Sequence, residues 1–141
     1  MNLQLITLQG VKLDEPVYEV ILPTSSGEIA VFPGHEPLVT VAKAGVIQVR
    51  REKQHSNEQM ELFAISGGVI EVTQARIRVL VDEADHGEDI LEAESQAALE
   101  RAIKLRDNAT NRVELEKAHQ LVDRHTVRLK VAGLQRHRRR L

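Results

Sequence analysis

The feature that most constrains this chain is a change of texture near Asp85. Before it, short apolar runs are broken every few residues by glycine or proline. After it, no proline and no β-branched run intervenes before Gly133. Gly and Pro punctuate strands and turns and are poorly tolerated inside helices, so the two halves cannot share one architecture. In the first half Gly45-Val46-Ile47-Gln48-Val49-Arg50 alternates at period two, and Ile29-Ala30-Val31-Phe32, Leu38-Val39-Thr40-Val41 and Arg76-Ile77-Arg78-Val79-Leu80-Val81 are of strand length. Further runs are Leu3 to Leu8, Val17 to Leu22, Met60 to Ile65 and Val69 to Val72, with polar Arg51 to Gln59 as a hairpin turn. Many short strands at this spacing predict a small antiparallel β-sandwich or barrel.

From Asp89 the pattern is helical. Asp89 and Glu92 offer N-cap chemistry, and an apolar stripe runs Leu91, Ala98, Ala102, Leu105, Ala109. Asp107 to Asn111 reads as a turn, after which Asn111 and Glu114 supply a second cap. The second stripe is Leu115, Ala118, Val122, His125, Leu129, Ala132. Two helices joined by a short polar turn form an antiparallel hairpin. The expected fold is therefore α+β, with a sandwich over residues 1–85 and a helical hairpin with a basic tail over 86–141. The seam is rich in alanine, so little apolar area leaves water and the hairpin is cheap to undock. Straightened, residues 89–132 would form a rod of about 65 Å.

Length and composition exclude several classes. A chain of 141 residues suits one compact unit with an appendage. The absence of Cys removes disulfide scaffolds and thiolate chemistry. The N-terminus shows no signal-peptide pattern, and no apolar run reaches membrane-spanning length. No phosphate-binding glycine loop and no metal-protease motif occurs, and the six histidines do not pair at ligand spacing. Nothing in the sequence reads as catalytic, no metal or cofactor is expected, and the Asn108-Ala109-Thr110 triplet is a turn.

Charge is segregated. Residues 1–87 carry a net −5 and residues 88–123 a net −4, whereas residues 124–141 carry seven basic groups and no acid. A +7 end points to an anionic partner, through nucleic acid, an anionic membrane or an acidic protein surface. Aromatic platforms for single-stranded nucleic acid are missing.

Gly27-Glu28-Ile29-Ala30-Val31-Phe32-Pro33-Gly34-His35-Glu36-Pro37-Leu38 resembles a loop of the epsilon subunit of F-type ATP synthases. The resemblance continues through Gly45-Val46-Ile47, Ile65-Ser66-Gly67-Gly68-Val69-Ile70-Glu71-Val72 and Val79-Leu80-Val81, in the family's order. It implies a non-catalytic central-stalk subunit of a proton-translocating complex, peripheral on the cytoplasmic face of the bacterial inner membrane. By this resemblance the sandwich binds the gamma subunit and the c-ring, with Glu28 and His35 as candidate ring contacts. The hairpin regulates: docked it permits ATP hydrolysis, and extended it obstructs the catalytic head. Arg124, Arg128, Lys130, Arg136, Arg138, Arg139 and Arg140 are then candidate contacts to acidic loops of the beta subunits. Some bacterial members bind ATP through a first-helix motif, Ile/Leu-Asp-x-x-Arg-Ala. Here Leu91, Glu94 and Ser95 depart from it, and a carboxylate at Glu94 would repel phosphate, so no ATP binding is expected. The alternative reading is a free-standing module whose basic tail engages nucleic acid or anionic membrane.

Overall fold

The computed structural model describes residues 1–139. Ten strands come first: β1 (Asn2–Thr7), β2 (Gly10–Pro16), β3 (Glu19–Thr24), β4 (Gly27–Val31), β5 (Leu38–Ala42), β6 (Gly45–Arg50), β7 (Glu61–Ile65), β8 (Gly68–Val72), β9 (Arg76–Val81) and β10 (Ala84–His86). A single 3-10 turn at Gly87–Asp89 leads to α1 (Glu92–Asp107) and α2 (Arg112–Arg139). Among the described residues, no helix is long and apolar enough to cross a membrane.

The strands form one hydrogen-bonded path, β10-β7-β6-β3-β5-β8-β9-β1-β2, with β4 paired to β3. Its two halves meet only at the pair Thr24 and Ala42, and there the path folds over into two facing layers. Alternation drives the closure. Leu3 and Leu5 of β1, Leu22 of β3, Ile70 of β8 and Ile77 and Val79 of β9 are fully buried, while their neighbours face outward. The expected sandwich is present, and all of its pairings are antiparallel except that β1 runs parallel to β9.

Two strands escape the sequence reading. β2 buries Leu13 alone, so it has no alternating signature. β10 occupies acidic residues read from the sequence as a domain junction, and the boundary placed at Asp85 falls inside it. The long polar connection between β6 and β7 is organised by Arg50, which meets the Glu19 carboxylate at 2.8 Å and donates to the His55 carbonyl and Asn57 Oδ1.

The helices form the expected antiparallel pair, with two corrections. Helix α1 begins at Glu92 and has Leu91, not Asp89, at its N-cap, with no side-chain cap bond; Asp89 lies in the preceding 3-10 turn. Its buried residues are Ser95 and Ala102, with Leu91 and Leu105 largely exposed. The second cap is as expected: Asn111 Oδ1 accepts from the Glu114 amide at 2.9 Å. Glu114 in turn accepts from the Thr110 amide and hydroxyl, and these bonds hold its carboxyl below the usual range. Along α2, Ala118 and Ala132 are buried as predicted, but the fully buried residue is Val131, which the stripe omitted.

Candidate functional site: a clasp between hairpin and sandwich

Val131 shows that α2 has two working faces. One meets α1; the other lies across the outer face of β6 and β7, whose Val46, Leu62 and Ala64 pack with Ile90, Val131 and Ala132. This is a small apolar cluster, and it sits under the C-terminal half of α2. Backbone proximity permits it, since a Cβ at Gly87 would lie 3.0 Å from Val131 Cγ1 and 3.1 Å from Gln135 Cδ. Helix α1 packs on α2 and makes no comparable contact with the strands.

Around that cluster the arginines of α2 close on the sandwich and the linker. Arg124 Nε lies 2.5 Å from Glu83 Oε2, and Arg128 donates to Asp85 Oδ2 at 2.8 Å. Arg136 reaches Glu92 at 2.5 Å, and Arg138 donates to the Met60 carbonyl. Arg128 and Asp85 form the least exposed of these ion pairs. Exposed pairs contribute about 0–1 kcal/mol each, so the clasp adds direction more than strength. Lys130 and Arg139 are exposed, and neither has a carboxylate within 4 Å among the described residues; Arg140 lies outside them.

The expected basic tail is therefore helix as far as Arg139, and four of its cations are occupied within the chain. Those occupied cations give no support to the alternative of a free-standing module whose basic tail engages nucleic acid or anionic membrane. The partners Glu83, Asp85 and Glu92 lie more than forty residues away in sequence, and no local pattern could reveal them. An open cleft of about 340 Å³ separates the N-terminal half of α2 from the strands, lined by Ser66, Asp82, Glu83, Lys117, Gln120 and Arg124 among others.

Glu28 and His35 are not brought together along their strand. Glu28 is the second residue of β4, opposite Pro23 beside the tight turn, whereas His35 lies beyond the far end of β4. At 3.3 Å per residue the strand alone separates them by about 10 Å. Glu28 is exposed, and His35 Nδ1 meets the Glu36 carbonyl at 2.7 Å. Gly34 takes φ +85°, which a side chain would disfavour. Of the first-helix positions, Leu91 and Glu94 are exposed and Ser95 is buried with Oγ unpartnered.

One further surface was not anticipated. On the outer face of the second layer Val41 pairs with Val69, Val69 with Leu80, Leu80 with Ile6, and Ile6 with Val11. This row crosses five strands, and Val41, Val69, Leu80 and Val11 are each at least 36% exposed. The next row is polar, with Arg78 bonded to Gln4 and Gln4 to Asp14. Ile6, Val41, Val69 and Leu80 each lie in a run legible as its own strand, Val11 lies in none, and only the register aligns the five.

A fixed sandwich with an uncovered apolar row, carrying a helical hairpin held by one small apolar cluster and a polar clasp, defines a two-part binding protein. Residues 1–87 match the family model described as the ATP synthase delta/epsilon chain, beta-sandwich domain. The ATP synthase epsilon chain of Rippkaea orientalis is 33% identical over 94% of this chain and 96% of its own length. That of Herpetosiphon aurantiacus is 34% identical over 98% of both. A chain in the Euglena gracilis mitochondrial ATP synthase (OSCP/F1/c-ring, rotational state 1) shares the fold with a TM-score of 0.75 at 24% identity, over 94% of this chain and 79% of that one. The chain belongs to the ATP synthase epsilon chain family.

Proposed function

We propose that this chain is a non-catalytic subunit of the central stalk of a proton-translocating ATP synthase and restrains ATP hydrolysis through its hairpin. The sandwich attaches to the gamma subunit and the c-ring, and its apolar row offers a seat that persists whether or not the hairpin is docked. The complex places it peripherally, on the cytoplasmic face of the bacterial inner membrane. Glu28 and His35 are its candidate ring contacts. In the extended state Arg124, Arg128, Lys130, Arg136 and Arg138 to Arg140 engage acidic loops of the beta subunits. With Glu94 exposed and acidic at the first-helix motif, the hairpin does not sense ATP.

The observation that carries this reading is the clasp. Three of the basic groups expected to serve an acidic partner, Arg124, Arg128 and Arg136, are held by acids of the same chain, through contacts that are at least partly exposed and exchangeable. A docked and an extended state then compete for one set of arginines, and any ligand or rotor position that prefers one state shifts the balance.

The test is ATP hydrolysis by the parent complex rebuilt with the full chain or with a truncation after residue 87, which spares β10. Faster hydrolysis with the truncation supports inhibition by the hairpin. Equal rates in two assembled complexes reduce the function to attachment, and failure of both chains to assemble overturns the stalk reading.

A further inference from the structure

His125 stands where the hairpin seam meets the clasp. It is half-buried on α2, and its Nδ1 is shielded from solvent with no hydrogen-bond partner. The charges that act on it are all positive: Arg124 and Arg128 of its own helix and Arg101 of α1. The nearby carboxylates of the sandwich, Glu83 and Asp85, are engaged by Arg124 and Arg128. The docked hairpin therefore does two things to the imidazole at once: packing takes part of the ring out of water, and the clasp pins two guanidiniums near it.

We propose that the docked hairpin is a latch that protonation of His125 releases. Among the described residues a cation at this position has no carboxylate within 4 Å to neutralise it, and its repulsion is relieved only when the seam opens or the clasped arginines let go. Burial, and then the charges of Arg124, Arg128 and Arg101, hold the docked imidazole below its ordinary value of 6.5. The released state binds the proton more readily, so the contribution of neutral His125 to docking is fully present above pH 6.5 and is lost as pH falls through the lower, docked value. Over that interval the ratio of released to docked chain rises by up to about tenfold per pH unit, the limit for one proton. The inference rests on the hairpin being the mobile, regulatory element proposed above. It adds the signal: acidification drives the chain towards its extended form.

The chain has no Cys, so a dye pair can be placed cleanly on the full-length protein at Ser26→Cys, in the exposed β3–β4 turn, and His119→Cys, on the exposed face of α2. Energy transfer is expected to fall between pH 8 and pH 5.5, and to stay flat over that range in His125→Gln. A flat profile in the parent chain, or an equal fall in the Gln variant, overturns the latch. Should the Gln variant already be undocked at pH 8, His125→Asn carries the same comparison. NMR titration of His125 in the unsubstituted chain decides independently: a midpoint below 6.5 supports the latch, and one at or above 6.5 overturns it. No ATPase is present in these measurements, so their failure leaves the inhibitory function standing, and loss of that function leaves the proton response measurable.

Discussion

At Gly68 a Cβ would lie 2.0 Å from the Leu80 carbonyl oxygen, in the backbone of the neighbouring strand, where nothing can yield cheaply. Gly68→Ala should therefore lower stability by at least the roughly 1–3 kcal/mol of an overpacked core, read as a drop in the urea midpoint. Val131 makes the opposite kind of contribution. It is fully buried, yet it belongs to the small cluster under α2 rather than to the sandwich core. Val131→Ala should loosen the hairpin by about 1–2 kcal/mol, through lost methyl burial, while hydrogen exchange in β1, β8 and β9 stays at its parent rate. Glu61 shows a third case. Burial opposes its ionisation, but Arg51 and His86 at its two oxygens prevail and hold its carboxyl below 4.5. A lowered carboxylate stabilises the fold above pH 4.5 and loses that contribution as pH falls through the folded value. Glu61→Gln should accordingly flatten the acid limb of a stability-against-pH curve. Of these three, only Gly68 left a mark in the sequence, as one of the glycines that break the apolar runs of the first half. The roles of Val131 and Glu61 depend on residues far away in the chain.

The elements were legible wherever burial follows a short period. β9 alternates throughout and β6 from Ile47 onward, Val46 being buried under α2 instead, and the Asn111 cap was legible because its chemistry is local to one turn. Asn111→Ala should weaken the start of α2 by about 1 kcal/mol, seen as roughly fivefold faster exchange at the first amides of that helix. The reading failed where an element borrows its stability from others. β2 packs a single residue inward and relies on its ladder to β1. Helix α1 turns Ser95 and Ala102 inward, while Leu91 and Leu105 stay outside. The stripe Leu91, Ala98, Ala102, Leu105, Ala109 therefore holds at Ala102 and fails at its two leucines. Burying Ser95 and leaving both leucines outside also means that the seam removes less apolar surface than the stripe suggested.

On the scale of the whole molecule, docking and the proposed inhibition draw on the same cations, and this makes charge substitutions distinguishable by which side they alter. Arg128→Glu removes the partner of Asp85 and also one of the cations proposed to face the beta subunits. Its hairpin should undock and yet inhibit less, so hydrolysis by the rebuilt complex rises. The double change Glu83→Lys and Asp85→Lys removes the docking acids and spares every arginine of α2. That hairpin should also undock, but with its inhibitory charge intact, so hydrolysis falls below the level seen with the parent chain. High salt screens exposed pairs within about a Debye length and should weaken both docking and inhibition, narrowing the gap between the two variants. Energy transfer between the sandwich and α2 reports the undocking, and the rate of ATP hydrolysis reports the inhibition. If both variants undock but shift hydrolysis in the same direction, the arginines do not serve the two states in turn, and inhibition must come from the bulk of the extended helices alone.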